Sequence, residues 1–182
     1  SLQIPSIRDE RRLRVFTRQG IARVVRHQHG DGMFSYWPST EGSADLTAYA
    51  LFGLSQASGA GVRRSVIDNG VTALRTWVNA SRRRLEPEGD GGTMAMIAYV
   101  LARHSQADAG LNARLYESRA TLSADGTAFL LRALAHTEGA PPEQIETLAT
   151  ALETAAVREE DRATLRGTGP GGRKSTRLKS SH

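Results

Sequence analysis

The 182-residue chain contains no cysteine, so within these residues there is no disulfide framework, no cysteine zinc site, no thiol nucleophile and no thioester. No apolar run approaches the ~20 residues that a membrane span requires, and the opening SLQIPSIRDERRLR lacks the basic-then-apolar order of a signal peptide. Aromatic residues make up only 5% of the chain, and lysine is absent before Lys174. The sequence contains no G-x-S-x-G, no Walker A loop, no Rossmann glycine fingerprint and no H-E-x-x-H, which removes the commonest signatures of hydrolase, nucleotide and zinc-peptidase chemistry.

The charge present is unevenly placed. Net charge is +5, but the last sixteen residues, GTGPGGRKSTRLKSSH, hold four bases and no acid, leaving 20 bases against 19 acids in the body. A near-neutral body gives no electrostatic footprint for nucleic acid. Both lysines lie in that tail, whereas every earlier base is arginine. RKSTRLKSSH resembles a translated sequencing-adapter oligonucleotide, differing from the usual reading at Lys179. Residues 167–182 therefore read as a disordered basic tail of non-native origin, and 1–166 as the domain; a genuine basic arm is the alternative. The start at Ser1 leaves room for a missing natural N-terminus.

Apolar spacing in the body is helical nearly throughout, with no convincing period-two run, and predicts an all-α domain. Helices are expected from Ser6 to about His27, Ala44 to Ser58, Val62 to Ala80, Thr93 to Ser105, Leu111 to Ser118, Ser123 to Glu138, and from Pro141-Pro142 to about Arg162. Ser6 with Asp9 forms a capping box, Ser123 is a further cap, and the two prolines open the last helix. The expected inward faces are Leu13, Phe16, Ile21, Val24 and Val25; Leu46, Tyr49, Ala50, Leu54 and Ala57; and Val66, Ile67, Val71, Leu74, Trp77 and Val78. Short connections make successive helices antiparallel neighbours. A weak repeat places a small residue beside an aromatic in alternate helices, at Ala48-Tyr49, Ala98-Tyr99 and Ala128-Phe129. Its spacing of about 50 and then about 30 residues argues for hairpins of unequal length rather than a strict solenoid.

Few residues are candidates for chemistry. His27 and His29 flank Gln28 beside Asp31, a His-x-His pair that can ligate a metal only if other ligands come from elsewhere; the competing reading is histidines satisfying a helix end. His104 and His136 recur near other helix ends and take that second reading. Asp31 and Asp45 bracket the aromatic loop Phe34-Ser35-Tyr36-Trp37, as paired carboxylates of a glycoside-cleaving cleft do, or they are a turn residue and a first-turn helix acid with the aromatics as packing. Arg82-Arg83-Arg84 runs straight into Glu86, Glu88 and Asp90, a self-compensating loop rather than a phosphate groove.

The most specific segment runs from Gln19-Gly20-Ile21 to Arg26, through Gln28-His29-Gly30-Asp31-Gly32-Met33-Phe34-Ser35-Tyr36-Trp37-Pro38, to Asp45-Leu46-Thr47-Ala48-Tyr49. It resembles the thioester-domain region of bacterial alpha-2-macroglobulins, in which such a Q-x-x-DG-x-F-x-YWP run precedes LTAY. The resemblance continues through Ala98–Arg103, Leu115-Tyr116, Arg119–Leu122 and Gly126–Ala135, covering roughly residues 7–160. It implies an α/α-toroid of helical hairpins, incomplete here, shared with complement thioester domains, terpenoid cyclases and protein prenyltransferases. In those toroids Gln28 and Phe34 would tie one hairpin to the next; Met33 replaces the more usual glycine.

The resemblance further implies a piece of a peptidase-trapping inhibitor of the periplasm or cell envelope, with target peptidases and the parent chain's other domains as partners. It implies neither nucleic-acid binding nor direct membrane contact. A Cys-x-x-Gln thioester, where the parent has one, would lie upstream of Ser1. No histidine stands between His29 and His104, where complement-type members place their acyl-transfer histidine. No catalytic, cofactor-binding or metal residue is carried over, and no cofactor is expected. The competing functions are a toroid enzyme using Asp31 or Asp45 as its acid, for which no cyclase-type Asp-rich cluster is present, and a helical scaffold without chemistry.

Overall fold

The computed structural model describes residues 7–37, 39–57, 59, 61–84, 91–159 and 162–165. Its elements are α1 (Ile7–Val25), α2 (Ala44–Gln56), α3 (Arg64–Arg84), α4 (Gly91–Arg103), α5 (Ala109–Glu117), a 3-10 turn (Arg119–Thr121), α6 (Ala124–Ala135), α7 (Pro142–Ala155) and a hairpin of β1 (Ala156–Glu159) with β2 (Arg162–Leu165). The domain is all-α apart from that hairpin. Ser6, the acidic loop 85–90 and the tail 167–182 lie outside the described residues, as do the side chains of Arg82–Arg84.

Helices α2, α4 and α6 form an inner row, and α3, α5 and α7 pack outside it. The inner three run parallel. Phe52 meets Tyr99 and Ser55 meets His104 along α2 and α4; the Gly92 and Gly126 backbones meet at the starts of α4 and α6, and Tyr99 meets Phe129 further on. Each outer helix is therefore the return arm of a hairpin, as the short connections predict.

Small residues set the spacing. A Cβ added at Gly126 would lie 3.2 Å from the Gly92 Cα, and one added at Gly70 would lie 2.8 Å from a Leu51 methyl. With Ala95, Ala98, Ala102 and Ala133 also buried, the backbones of α4 and α6 approach closely, and α4 is enclosed on every side. Ile97 through Ala102, six consecutive residues, are each at most 3% exposed. A helix apolar all round belongs in a core. Ser123 caps α6 as expected, accepting from the Gly126 N–H at 3.2 Å, and Asp108, not among the expected caps, starts α5 two residues before Leu111 by accepting from the Leu111 N–H at 2.8 Å.

The inner aromatics cluster as the repeat suggests, with one substitution. Tyr99, Phe129 and Phe52 place their ring centroids 5.8–6.1 Å apart, whereas Tyr49 is 66% exposed. Phe52, one turn later, takes its place because α2 buries a different face from the one expected. Its buried residues are Ala44, Thr47, Ala48, Leu51, Leu54 and Ser55. The α3 face agrees: Val66, Val71, Leu74 and Val78 are buried, with Ile67 and Trp77 packed against them.

Three other expectations need correction. Helix α1 ends at Val25, not His27, because the His27 and Gln28 amides donate to Val24 and Val25 carbonyls in a tightened turn. Of its expected face only Ile21 and Val25 pack on the core; Leu13 and Phe16 are 67% and 62% exposed. Helix α7 ends at Ala155 rather than Arg162. Only Leu148 of α7 is buried, so the footprint holding it helical is narrow, and the β-branched Val157 pairs with Thr164 in the hairpin. Leu130→Ala, in the enclosed α4–α6 seam, is expected to cost ~2–5 kcal/mol, while Phe16→Ser stays within about 0.5 kcal/mol of the parent; urea denaturation of both variants measures the contrast.

Candidate functional site

The loop from His27 to Thr47 is built around Gln28 and Phe34. The Gln28 Nε2 donates to the Gly32 carbonyl at 3.1 Å and to the Val66 carbonyl at 2.8 Å, crossing from the end of α1 to the first turn of α3. Phe34 is 1% exposed; its amide donates to the Thr47 hydroxyl at 2.8 Å, and its carbonyl accepts from the Ser43 amide at 2.9 Å. Thr47 passes its own proton to the Ser43 carbonyl at 2.6 Å. The loop is thus a cross-linked strap joining α1, α2 and α3. This is the tie expected of Gln28 and Phe34. Met33 fits because Gly42 leaves it room, a Cβ there falling 2.3 Å from the Met33 Cβ.

Gly32 is fixed twice over. Its φ is +91°, and an added Cβ would lie 2.4 Å from the Asn69 carbonyl oxygen, so both conformation and space demand glycine.

The histidine pair is not gathered into a metal site. The Ser35 hydroxyl donates to the Trp37 carbonyl at 2.6 Å, so the His29 Nε2, also 2.6 Å from Ser35 Oγ, must carry the proton of that second bond. His27 instead lines an apolar pocket of about 200 Å³ with Val24, Phe34 and Leu46, its Nδ1 buried without a partner among the described residues. Among those residues no group of three or more metal-binding side chains comes together. His136 does what a helix-end histidine is expected to do, its Nδ1 bonding the Arg132 carbonyl at 2.9 Å.

The two carboxylates take the turn and first-turn places that the sequence offers as the second reading. Asp31 is a turn residue, accepting from the Met33 amide at 2.9 Å, and Asp45 is an exposed first-turn acid of α2. Tyr36 and Trp37 are 73% and 69% exposed, so the expectation that all the loop aromatics serve as packing holds for Phe34 alone.

The spacing gave no sign of a contact between Ser55 and His104, 49 residues apart. The Ser55 hydroxyl, 7% exposed, lies 2.9 Å from the His104 Nε2, joining the ends of α2 and α4. The carbonyl-capping role expected for His104 is therefore replaced by a side-chain bond. Burial lowers its pKa from 6.5, aided by the neighbouring Arg103 charge and opposed by Asp68. The pair sits in the wall of an open groove of about 1080 Å³ along α3. With its folded pKa depressed, His104 contributes stability that is present above about pH 6.5 and lost as pH falls below it. The melting temperature is expected to fall between about pH 7 and 5, and to fall less in His104→Gln. Gly32→Ala, measured at neutral pH, is expected to lose about 2 kcal/mol or more.

No family model and no curated relative matches the sequence. Solved structures do match. The native conformation of Escherichia coli alpha-2-macroglobulin is similar to 87% of this chain at 27% identity and TM-score 0.65, the match occupying 10% of that protein. Salmonella alpha-2-macroglobulin reacted with methylamine is similar to 88% of the chain at 26% identity and TM-score 0.67, over 11% of its length. The E. coli structure spanning domain MG7 to the C-terminus is similar to 83% at 28% identity and TM-score 0.64, over 25% of its length. The E. coli protein is also seen activated by trypsin and by porcine elastase. The chain thus spans about a tenth of the length of the larger relatives. Over 83–88% of its residues the chain is similar in fold, and at 26–28% identity in sequence, to bacterial alpha-2-macroglobulins.

Proposed function

We propose that this chain is the thioester-domain segment of an alpha-2-macroglobulin-like endopeptidase inhibitor, residues 1–166 forming part of an α/α-toroid and 167–182 a non-native tail. The likeness over 87–88% of the chain to the E. coli and Salmonella proteins is the observation that carries this reading. The alternating inner and outer helices fit a toroid short of its full circle, and the exposed apolar side of α1, at Leu13 and Phe16, is where another element of the ring would pack.

In this reading the toroid's work is shelter. A thioester is an electrophile with a good leaving group, and it survives in water only while buried. The rigid inner row and the Gln28–Phe34 strap provide walls that keep their shape until a rearrangement elsewhere exposes the bond. The thioester itself would be formed by a Cys-x-x-Gln upstream of Ser1; a parent without it would trap peptidases non-covalently. The Salmonella protein's reaction with methylamine is the behaviour of such an acyl electrophile toward an amine. No residue of this chain is assigned a catalytic role, and the location would be the periplasm or cell envelope. Among the described residues no helix is long and apolar enough to cross a membrane.

The test is to challenge the full-length parent protein with trypsin. The reading expects the bound trypsin to stop cleaving a large protein substrate while still cleaving a small peptide amide, as an enclosed but intact peptidase does. Equal loss of both activities, or no loss of either, contradicts trapping. Turnover of a glycan or prenyl substrate by the chain, abolished by Asp31→Asn or Asp45→Asn, would establish the enzyme alternative instead.

A further inference from the structure

The long wall of the groove is one face of α3. Arg64, Ile67, Asp68, Val71, Arg75 and Asn79 line it, recurring at helical spacing from residue 64 to residue 79, which is ~22 Å of helix at 1.5 Å per residue step. That length matches about seven residues of extended peptide. The volume, about 1080 Å³, lies at the upper edge of small-molecule pockets.

The chemistry of the lining is amphipathic and cationic. Leu54, Val62, Ile67 and Val71 supply apolar surface; Arg64, Arg75 and Arg103 face a single carboxylate, Asp68. Arg64 pairs with Asp68 at 3.5 Å, and Arg75 donates to the Gln106 side-chain oxygen. Arg103, exposed beside His104, has no hydrogen-bond partner among the described residues. Among the described residues the groove therefore holds two more arginines than carboxylates, while the body of the chain is almost neutral. Among the described residues no Phe, Tyr or Trp lines it, so there it lacks the broad stacking platforms of single-stranded nucleic-acid sites. Arginine forks match carboxylates bidentately, and an extended strand sends alternate side chains to opposite sides.

We infer that the α3 groove binds an extended acidic peptide segment of a separate protein, its carboxylates held by Arg75 and Arg103 and its apolar side chains against Ile67 and Val71. The inference does not depend on the peptidase-trap reading, which concerns the parent protein as a whole.

A fluorescently labelled, end-capped heptapeptide of alternating Glu and Leu, titrated into the 182-residue chain, tests it. The expected result is a Kd below about 100 µM, tighter than the millimolar range that only a tethered segment could use. Affinity should weaken at least about tenfold when Glu is replaced by Gln in the peptide, or when the protein carries Arg75→Gln with Arg103→Gln. Both arginines are exposed, so at pH 8, where His104 is neutral in the folded and unfolded chain alike, the melting temperature should stay within a few degrees of the parent's in that variant. Arg75→Glu with Arg103→Glu should shift the preference to a Lys/Leu peptide. Equal binding of the Glu and Gln peptides, no effect of either double variant, or tighter binding of an oligothymidine than of the Glu/Leu peptide would each overturn the inference.

Discussion

Everything else in the structure is arranged around the burial of α4. A helix enclosed on all sides cannot present a polar face, and the one polar side-chain group in Ile97–Ala102 is the Tyr99 hydroxyl, buried without a hydrogen-bond partner among the described residues. Its own backbone hydrogen bonds satisfy its peptide groups, so the remaining requirement is close contact with neighbours on every side. Alanine and glycine provide it: Ala95, Ala98 and Ala102 on α4, Ala133 on α6, and the Gly92–Gly126 approach at the helix starts. Such packing leaves little tolerance for added volume. It also explains the order of the fold, since α2 and α6 flank α4 while α3 and α5 close the outside.

The Gln28–Phe34 strap solves a different problem. A loop that crosses from α1 to α2 buries backbone groups that water cannot reach, and each needs a partner. Gln28 serves two carbonyls, Thr47 both accepts from one main-chain group and donates to another, and Ser35 relays between His29 and the Trp37 carbonyl. A chain of satisfied polar contacts is rigid and specific in a way that apolar packing alone is not. The segment carrying the resemblance in sequence is the segment that makes these bonds.

The helices and the α3 face were legible in the sequence because aliphatic side chains recur there at helical spacing without interruption. The α2 face was not, since two of its inward positions are Thr47 and Ser55, polar residues whose burial becomes reasonable only once Phe34 and His104 supply their partners. Tyr49 had the right residue type at the right repeat position, yet it points to solvent and Phe52 enters the cluster, because that phase follows Thr47. The strap was readable as a motif but not as a geometry: the Gln28–Val66 bond spans 38 residues. Ser55–His104 and the α3 groove left no local signal, since both arise from packing of elements far apart in the chain. The end of α7 failed for a simpler reason: its apolar spacing continues, but the core it could bury against ends near Leu148.

In the proposed reading the enclosed helical core, the cross-linked strap and the uncovered side of α1 are one part of a longer chain. The most direct measurement is an unbroken read of the source gene across both ends of this chain. The account predicts one continuous frame in which further domains precede Ser1 and in which the coding sequence runs on past Arg166 without RKSTRLKSSH. A complete short gene beginning near Ser1 and ending at His182 would contradict it.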